Sequence, residues 1–157
     1  MILKLNPISR VQLDRFLKSV TLSEEQEKYI GGIREYADSV KKREHVVGLL
    51  LGGIVIGILK LDPEYSEDYP FAGEKELGLS GFLIDEKYQG EGYGTQCLVL
   101  LKGFVMKNFV EASAVCLTVN FRNKGAIKCY LKSGFSDTGE IFFGGNVGPQ
   151  KVMRLSI

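Results

Sequence analysis
The chain is predicted to fold as an α+β domain around a sheet. Three observations predict this: strand-like and helix-like hydrophobic periods interleave, hairpin signals lie toward both ends, and neither repeat nor linker divides the sequence. At 157 residues the chain suits one domain, 1–157, long enough to bury a core. Its 45% hydrophobic and 25% charged content is ordinary for a soluble globular protein. A net charge of +1 argues against nucleic acid or an anionic membrane as a partner. The longest apolar run, 46–61, is broken by Gly48, Gly52, Gly53 and Gly57 and falls short of a membrane span. Residues 1–19 lack a secretory pattern. Cys97, Cys116 and Cys129 fit neither a zinc spacing nor a disulfide framework, so reduced thiols in a cytoplasmic protein are expected.

Residues 2–6 alternate and stop at Pro7, which suits a short edge strand. Ser9 can cap a helix carrying Val11, Leu13, Phe16 and Leu17. A more polar helical region covers 22–40, opened by Ser23 and Gln26 in capping-box spacing, with Gly31 and Gly32 as a point of division. The apolar runs 46–51 and 54–61 meet at Gly52-Gly53, a hairpin signal because both turn positions need positive φ. A loop over 62–75 is punctuated by Pro63, Pro70 and Gly73. A strand follows over 77–84, a glycine-rich turn over 85–94, and a helix over 95–109 with Leu98, Leu101 and Val105 on one face. Residues 114–119 read as a buried strand. A helix over 123–132 presents Ala126, Ile127 and Tyr130 and stops at Gly134. Strands over 135–143 and 152–157 flank a turn at 144–149.

The stretch Gln89-Gly90-Glu91-Gly92-Tyr93-Gly94-Thr95 joins a strand to a helix. Its glycines let backbone N–H groups converge on one point at a helix N-terminus, where free donors and the dipole favour an anion. A phosphate is the natural guest, with Thr95 as a hydroxyl donor and Gln89 as a brace. The third glycine comes one residue too early for the dinucleotide fingerprint, and no G-K-[ST] tripeptide exists for a nucleotide phosphate loop. An ordinary glycine-rich turn is the competing reading.

A second cluster decides between them. Leu117-Thr118-Val119 leads into Asn120-Phe121-Arg122-Asn123-Lys124-Gly125-Ala126-Ile127-Lys128-Cys129-Tyr130-Leu131-Lys132-Ser133-Gly134-Phe135. Together with the Q-x-x-G-x-G pattern from Gln89 to Gly94, this N-x-x-A-x-x-x-Y-x-x-x-G-F stretch resembles the GNAT superfamily of N-acetyltransferases. The segments 83–90 and 139–153, with Glu25-Gln26-Glu27-Lys28-Tyr29, are similar to bacterial diamine and spermine acetyltransferases. The resemblance implies a mixed, mostly antiparallel sheet of about seven strands, its fourth and fifth splayed, flanked by about four helices. It further implies acetyl-CoA as co-substrate, no metal, and a small-molecule amine as acceptor, a polyamine above all.

Carried over by position, the backbone of Phe82, Leu83 and Ile84 would bind the pantetheine arm, with the N–H near Ile84 facing the thioester carbonyl. Residues Gln89, Gly90, Glu91, Gly92, Tyr93, Gly94 and Thr95 would hold the pyrophosphate, and Asn123 and Ala126 would face the cofactor from the other side. Tyr130 matches the general acid that protonates the departing thiolate from about 3 Å. An amine of pKa about 10 must also lose a proton, and Glu76 is the first candidate for its base. Ser80 stands where related polyamine enzymes often carry a carboxylate. The acidic residues Asp62, Glu64, Glu67 and Asp68, with Glu24, Glu25 and Glu27, would attract a cationic acceptor. His45 reads as a strand-edge residue and Cys129 as core. An aminoglycoside, amino acid or protein N-terminus as acceptor, or an acyl-CoA sensor without turnover, are the alternatives. The C-terminal strands offer an edge through which a homodimer can form.

Overall fold
The computed structural model describes residues 1–30, 32–145 and 148–157. The elements run β1 (Leu3–Pro7), α1 (Arg10–Ser19), α2 (Glu24–Ile30), α3 (Ile33–Ser39), β2 (His45–Leu51), β3 (Ile54–Asp62), β4 (Glu76–Ile84), α4 (Tyr93–Asn108), β5 (Ala114–Asn120), α5 (Lys124–Lys132), β6 (Ser136–Phe142) and β7 (Gln150–Ser156). Short 3-10 turns occupy Tyr65–Glu67 and Glu86–Tyr88. The strands form a seven-stranded sheet in the order β1-β2-β3-β4-β5-β7-β6. Only the β4–β5 pair is parallel among the described ladders.

Local chemistry explains most boundaries. Ser9 and Gln12 form a reciprocal capping box at the start of α1. Gly52 and Gly53 both have positive φ, 58° and 85°, which matches the twist a two-residue hairpin loop needs. The polar region 22–40 resolves into α2 and α3, one more helix than a continuous segment would give. The division at Gly31 and the turn residues Asn146 and Val147 lie outside the described residues. β1 ends at Pro7, which is tolerated as its last residue because an edge strand can spare an N–H.

Helices cover both faces. On one side Leu98, Leu101 and Val105 of α4 pack with Tyr130 and Phe135 against Leu79, Leu117 and Met153 of the sheet. On the other, Leu13 and Phe16 of α1 and Tyr36 of α3 pack on Ile58 and Leu83. Among the described residues no helix is long and apolar enough to cross a membrane.

The sheet opens at its centre. The β4–β5 ladder holds at Glu76↔Ala114, Leu77↔Val115 and Gly78↔Cys116, then ends. Beyond it, residues 79–84 of β4 and 117–120 of β5 face each other unpaired, while their outer edges remain bonded to β3 and β7. A bulge sits where they part. Ile58 opposes Leu83 and Lys60 opposes Ser80, so Leu59 alone spans both Gly81 and Phe82. Gly81 takes φ 58°, and its carbonyl accepts a 2.6 Å bond from the Tyr36 hydroxyl. A Cβ there would lie 2.6 Å from that hydroxyl and 2.8 Å from Lys60 Cε. We expect Gly81→Ala to destabilise the fold by about 2 kcal/mol or more, from strain plus overpacking, measured as a lowered urea midpoint.

Candidate active site
Two cavities meet in the opening. The larger, about 440 Å³, runs along Phe82, Leu83 and Ile84 to the loop 89–95 and across to α5. The smaller, about 230 Å³, passes between β4 and β5 and is walled by Tyr29, Tyr69, Ser80, Asn120 and Tyr130. Phe82, Asn123 and Ala126 border both. Alternate residues of a strand point to opposite faces, so Ser80 and Thr118 face α2 while Leu79 and Val119 face α4 and α5. The opening therefore joins the two sides of the sheet.

At the loop, Gly90 and Gly92 have φ of 80° and 82°, in the left-handed region that a side chain resists. Gly92 is the N-cap of α4, which begins two residues earlier than its hydrophobic period suggests. No side chain caps this end and no acidic residue lies in its first turn. The first N–H groups of a helix have no acceptor within it, so those of Tyr93, Gly94 and Thr95 point outward at the positive end of a sixteen-residue dipole. Gln89 donates from Nε2 to the Ile84 carbonyl at 2.8 Å and ties the loop to β4. Gln26 reaches the same carbonyl at 3.2 Å. Asp85 donates its N–H to Ile56 at 2.9 Å and Leu83 lies opposite Ile58. By the alternation of an antiparallel ladder, the Ile84 N–H then faces the open side.

Tyr130 is 8% exposed, with its ring centroid 6.4 Å from Phe82 and 5.4 Å from Phe135. Burial pushes its phenol above the ordinary value, and the neighbouring Cys129 and Cys97 add to the shift. The hydroxyl is therefore held protonated, as a proton donor must be. Asn123 caps α5, its Oδ1 accepting from the Ala126 N–H at 3.3 Å.

Three sequence-based expectations change. Glu76 lines neither cavity. It belongs to the closed end of the β4–β5 ladder, where its Oε1 lies 2.9 Å from Arg154 Nε. A carboxylate held by a guanidinium four residues along a strand, about 13 Å, from Ser80 is badly placed to take a proton in the opening. Glu91 is exposed and also lines neither cavity. Cys129 is not core: it is partly exposed in the larger cavity, with Sγ 3.5 Å from Thr95 Oγ1. The thiols of Cys97 and Cys116 are buried and pushed up to about 12 and about 11 by that burial.

The acidic cluster after β3 is also not a free field. Arg43 contacts Asp62 at 3.0 Å, Glu67 at 3.1 Å and Asp68 at 2.5 Å, and lies 4.0 Å from Glu64. Lys41 adds a 2.6 Å bond to Asp68 and, with Arg43, holds that carboxyl below the usual carboxylate range. Glu24, Glu25 and Glu27 in the first turn of α2 remain exposed, close in sequence to the cavity residue Tyr29. His45 opens β2 at the surface against the ring of Phe109.

These parts suit a ligand with an anionic diphosphate at one end and an extended polar arm. An uncapped helix turn such as that of α4 suits the charge, and an unpaired strand edge such as that of β4 suits the arm. Comparisons with known proteins agree. Residues 10–135 match the acetyltransferase (GNAT) family. A spermine/spermidine N(1)-acetyltransferase of Bacillus subtilis (strain 168) is 31% identical over 136 residues, covering 84% of each protein. A crystal structure of the aminoglycoside acetyltransferase AAC(6')-Ib with coenzyme A shares the fold at a TM-score of 0.81 and 16% identity, covering 99% of this chain and 95% of that one. A spermidine N-acetyltransferase SpeG chimera from Vibrio cholerae and hSSAT shares it at 0.66 and 18%, covering 98% and 95%. With its parted central strands, its anion loop and a family match across most of its length, the chain belongs to the acetyltransferase (GNAT) family.

Proposed function
We propose that this acetyl-CoA-dependent N-acetyltransferase acts on a primary amine of a small cationic molecule, with a polyamine as the favoured class. The observation that carries the reading is the passage through the sheet between β4 and β5, with Tyr130 on its wall. In this reading the loop 89–95 holds the pyrophosphate and the Ile84 N–H steadies charge developing on the thioester oxygen. Tyr130 supplies a proton to the departing sulfur. The acceptor enters from the side of α2, where three exposed glutamates favour a cation and Tyr29 and Tyr69 line the cavity. The polyamine choice draws on the spermine/spermidine relative.

The test is acetyl-CoA-dependent thiol release across spermine, spermidine, diamines, aminoglycosides and amino acids. We expect spermine or spermidine to give the highest kcat/KM. A higher value for an aminoglycoside would reassign the acceptor, and tight acetyl-CoA binding without release from any amine would favour a sensor.

A further inference from the structure
The reading above needs a proton acceptor for the incoming ammonium, and the smaller cavity does not contain one of the usual kind. Among its described lining residues none is Asp, Glu or His. Ser80 leads to a carboxylate. Its Oγ lies 3.5 Å from Glu44 Oε2, and the Glu44 side chain is 5% exposed. Glu44 arrives from the turn ahead of β2, 36 positions away in sequence.

The surroundings of this carboxylate are specific. Its Oε1 accepts from the Lys41 N–H at 2.7 Å, which fixes the group in the turn. Its Oε2 is shared between Ser80 and the Lys60 ammonium, the latter at 3.8 Å. Lys60 is itself buried, lies 5.2 Å from the centroid of the Tyr36 ring, and is lowered from its ordinary value mainly by that burial. The charged or titratable groups facing Glu44 are thus Lys60 of β3, Tyr36 of α3 and Lys41 of its own turn. The Lys60 pair is longer than the about 2.8 Å of a close charge-assisted hydrogen bond. Here the free oxygen is instead divided between lysine and serine, and the serine opens on the cavity.

We propose that Ser80 and Glu44 form a relay that takes the proton of the acceptor amine, with Ser80 as the residue touching substrate and Glu44 as the positioning residue behind it. In the step an ammonium N–H bond breaks and its proton passes to Ser80 Oγ. The serine's own hydroxyl proton moves to Glu44 Oε2, and the nitrogen keeps the electron pair with which it attacks. After product leaves, Glu44 returns the proton to water by the same route. Hydrogen bonds of this kind are often long before substrate binds and shorten in the complex.

The inference rests on the amine-acetyltransferase reading, and its test separates the two. Thiol release is followed from pH 6 to 9 with spermine and again with no amine, so that water is the nucleophile. With spermine, wild-type kcat/KM is expected to be nearly flat from neutral pH upward. Glu44→Gln should fall about 100-fold at pH 7 and recover about tenfold per pH unit, since only free amine then reacts. Ser80→Ala should give the same slope. The acetyl-CoA Kd and the urea midpoint of both variants show whether they are folded. An equal loss at every pH, or no loss, overturns the relay. If spermine is not acetylated at all the acceptor reading fails, and the same pH series with whichever amine of the panel is acetylated decides the relay by its change of slope.

Discussion

Gly92→Val is expected to raise the Kd for acetyl-CoA by at least about tenfold, equivalent to about 1.4 kcal/mol, without unfolding the protein. The cause is conformational, since a Cβ at this position meets only the Gln96 amide at 3.7 Å. A β-branched residue at φ 82° carries strain of about 1–3 kcal/mol. The loop relieves it by turning the backbone back to negative φ. That turn disperses the N–H groups of the first turn of α4, the donors proposed to meet the pyrophosphate. Isothermal titration calorimetry with acetyl-CoA gives the answer, with Gly103→Ala as control. Gly103 lies exposed in the same helix with open space around it. Its substitution should stabilise the fold by about 0.4–1 kcal/mol and leave Kd unchanged. Equal affinity for Gly92→Val and wild type would remove the anion-loop assignment.

Tyr130→Phe is expected to lower kcat about 100-fold while the Kd for acetyl-CoA stays within a factor of about two. Phenylalanine keeps the ring that packs on Phe82 and Phe135, so the change deletes a proton and little else. The pH profile has a definite sign. Because burial raises the phenol above its ordinary value of 10.0, wild-type activity should show no loss from phenol ionisation below about pH 10. The same shift stabilises the fold below the unfolded-state pKa, about 10, and this contribution is lost as pH rises through the folded value. A single-turnover measurement isolates the chemical step. Full turnover in the variant, with acetyl transfer limiting, would exclude Tyr130 as the acid.

The parts of this site that were legible in the sequence are those written in backbone geometry. Two glycines between apolar runs require a hairpin, and Gly52 and Gly53 supply it. Glycines between a strand and a helix mark an uncapped helix end, and Gly90 and Gly92 make one. The parts that were not legible depend on which side chains meet across the fold. Glu44 and Ser80 share no local pattern, because their contact depends on the β3–β4 register and its bulge at Gly81. The acidic run from Asp62 to Asp68 reads as an open charge until Arg43, nineteen positions before Asp62, is seen to close on it. Cys129 was misplaced because α5 is flanked by two clefts, and a hundred degrees of rotation carries a side chain from one into the other.

The Arg43 hub has a bearing on how acceptors are told apart. It fastens the segment carrying Tyr65 and Tyr69 to the body of the sheet, so part of the wall of the proposed acceptor cavity is set in advance of binding. A wall already in place costs little ordering entropy on binding and rejects misfitting molecules by shape. The fastening is ionic, however, and its outer carboxylates, Glu64, Glu67 and Asp68, are 55%, 63% and 44% exposed. Added salt screens these pairs while sparing Asp62, which is 4% exposed. If the proposed acceptor site is right, discrimination among amines is expected to depend on ionic strength, relaxing in brine well before the sheet itself gives way.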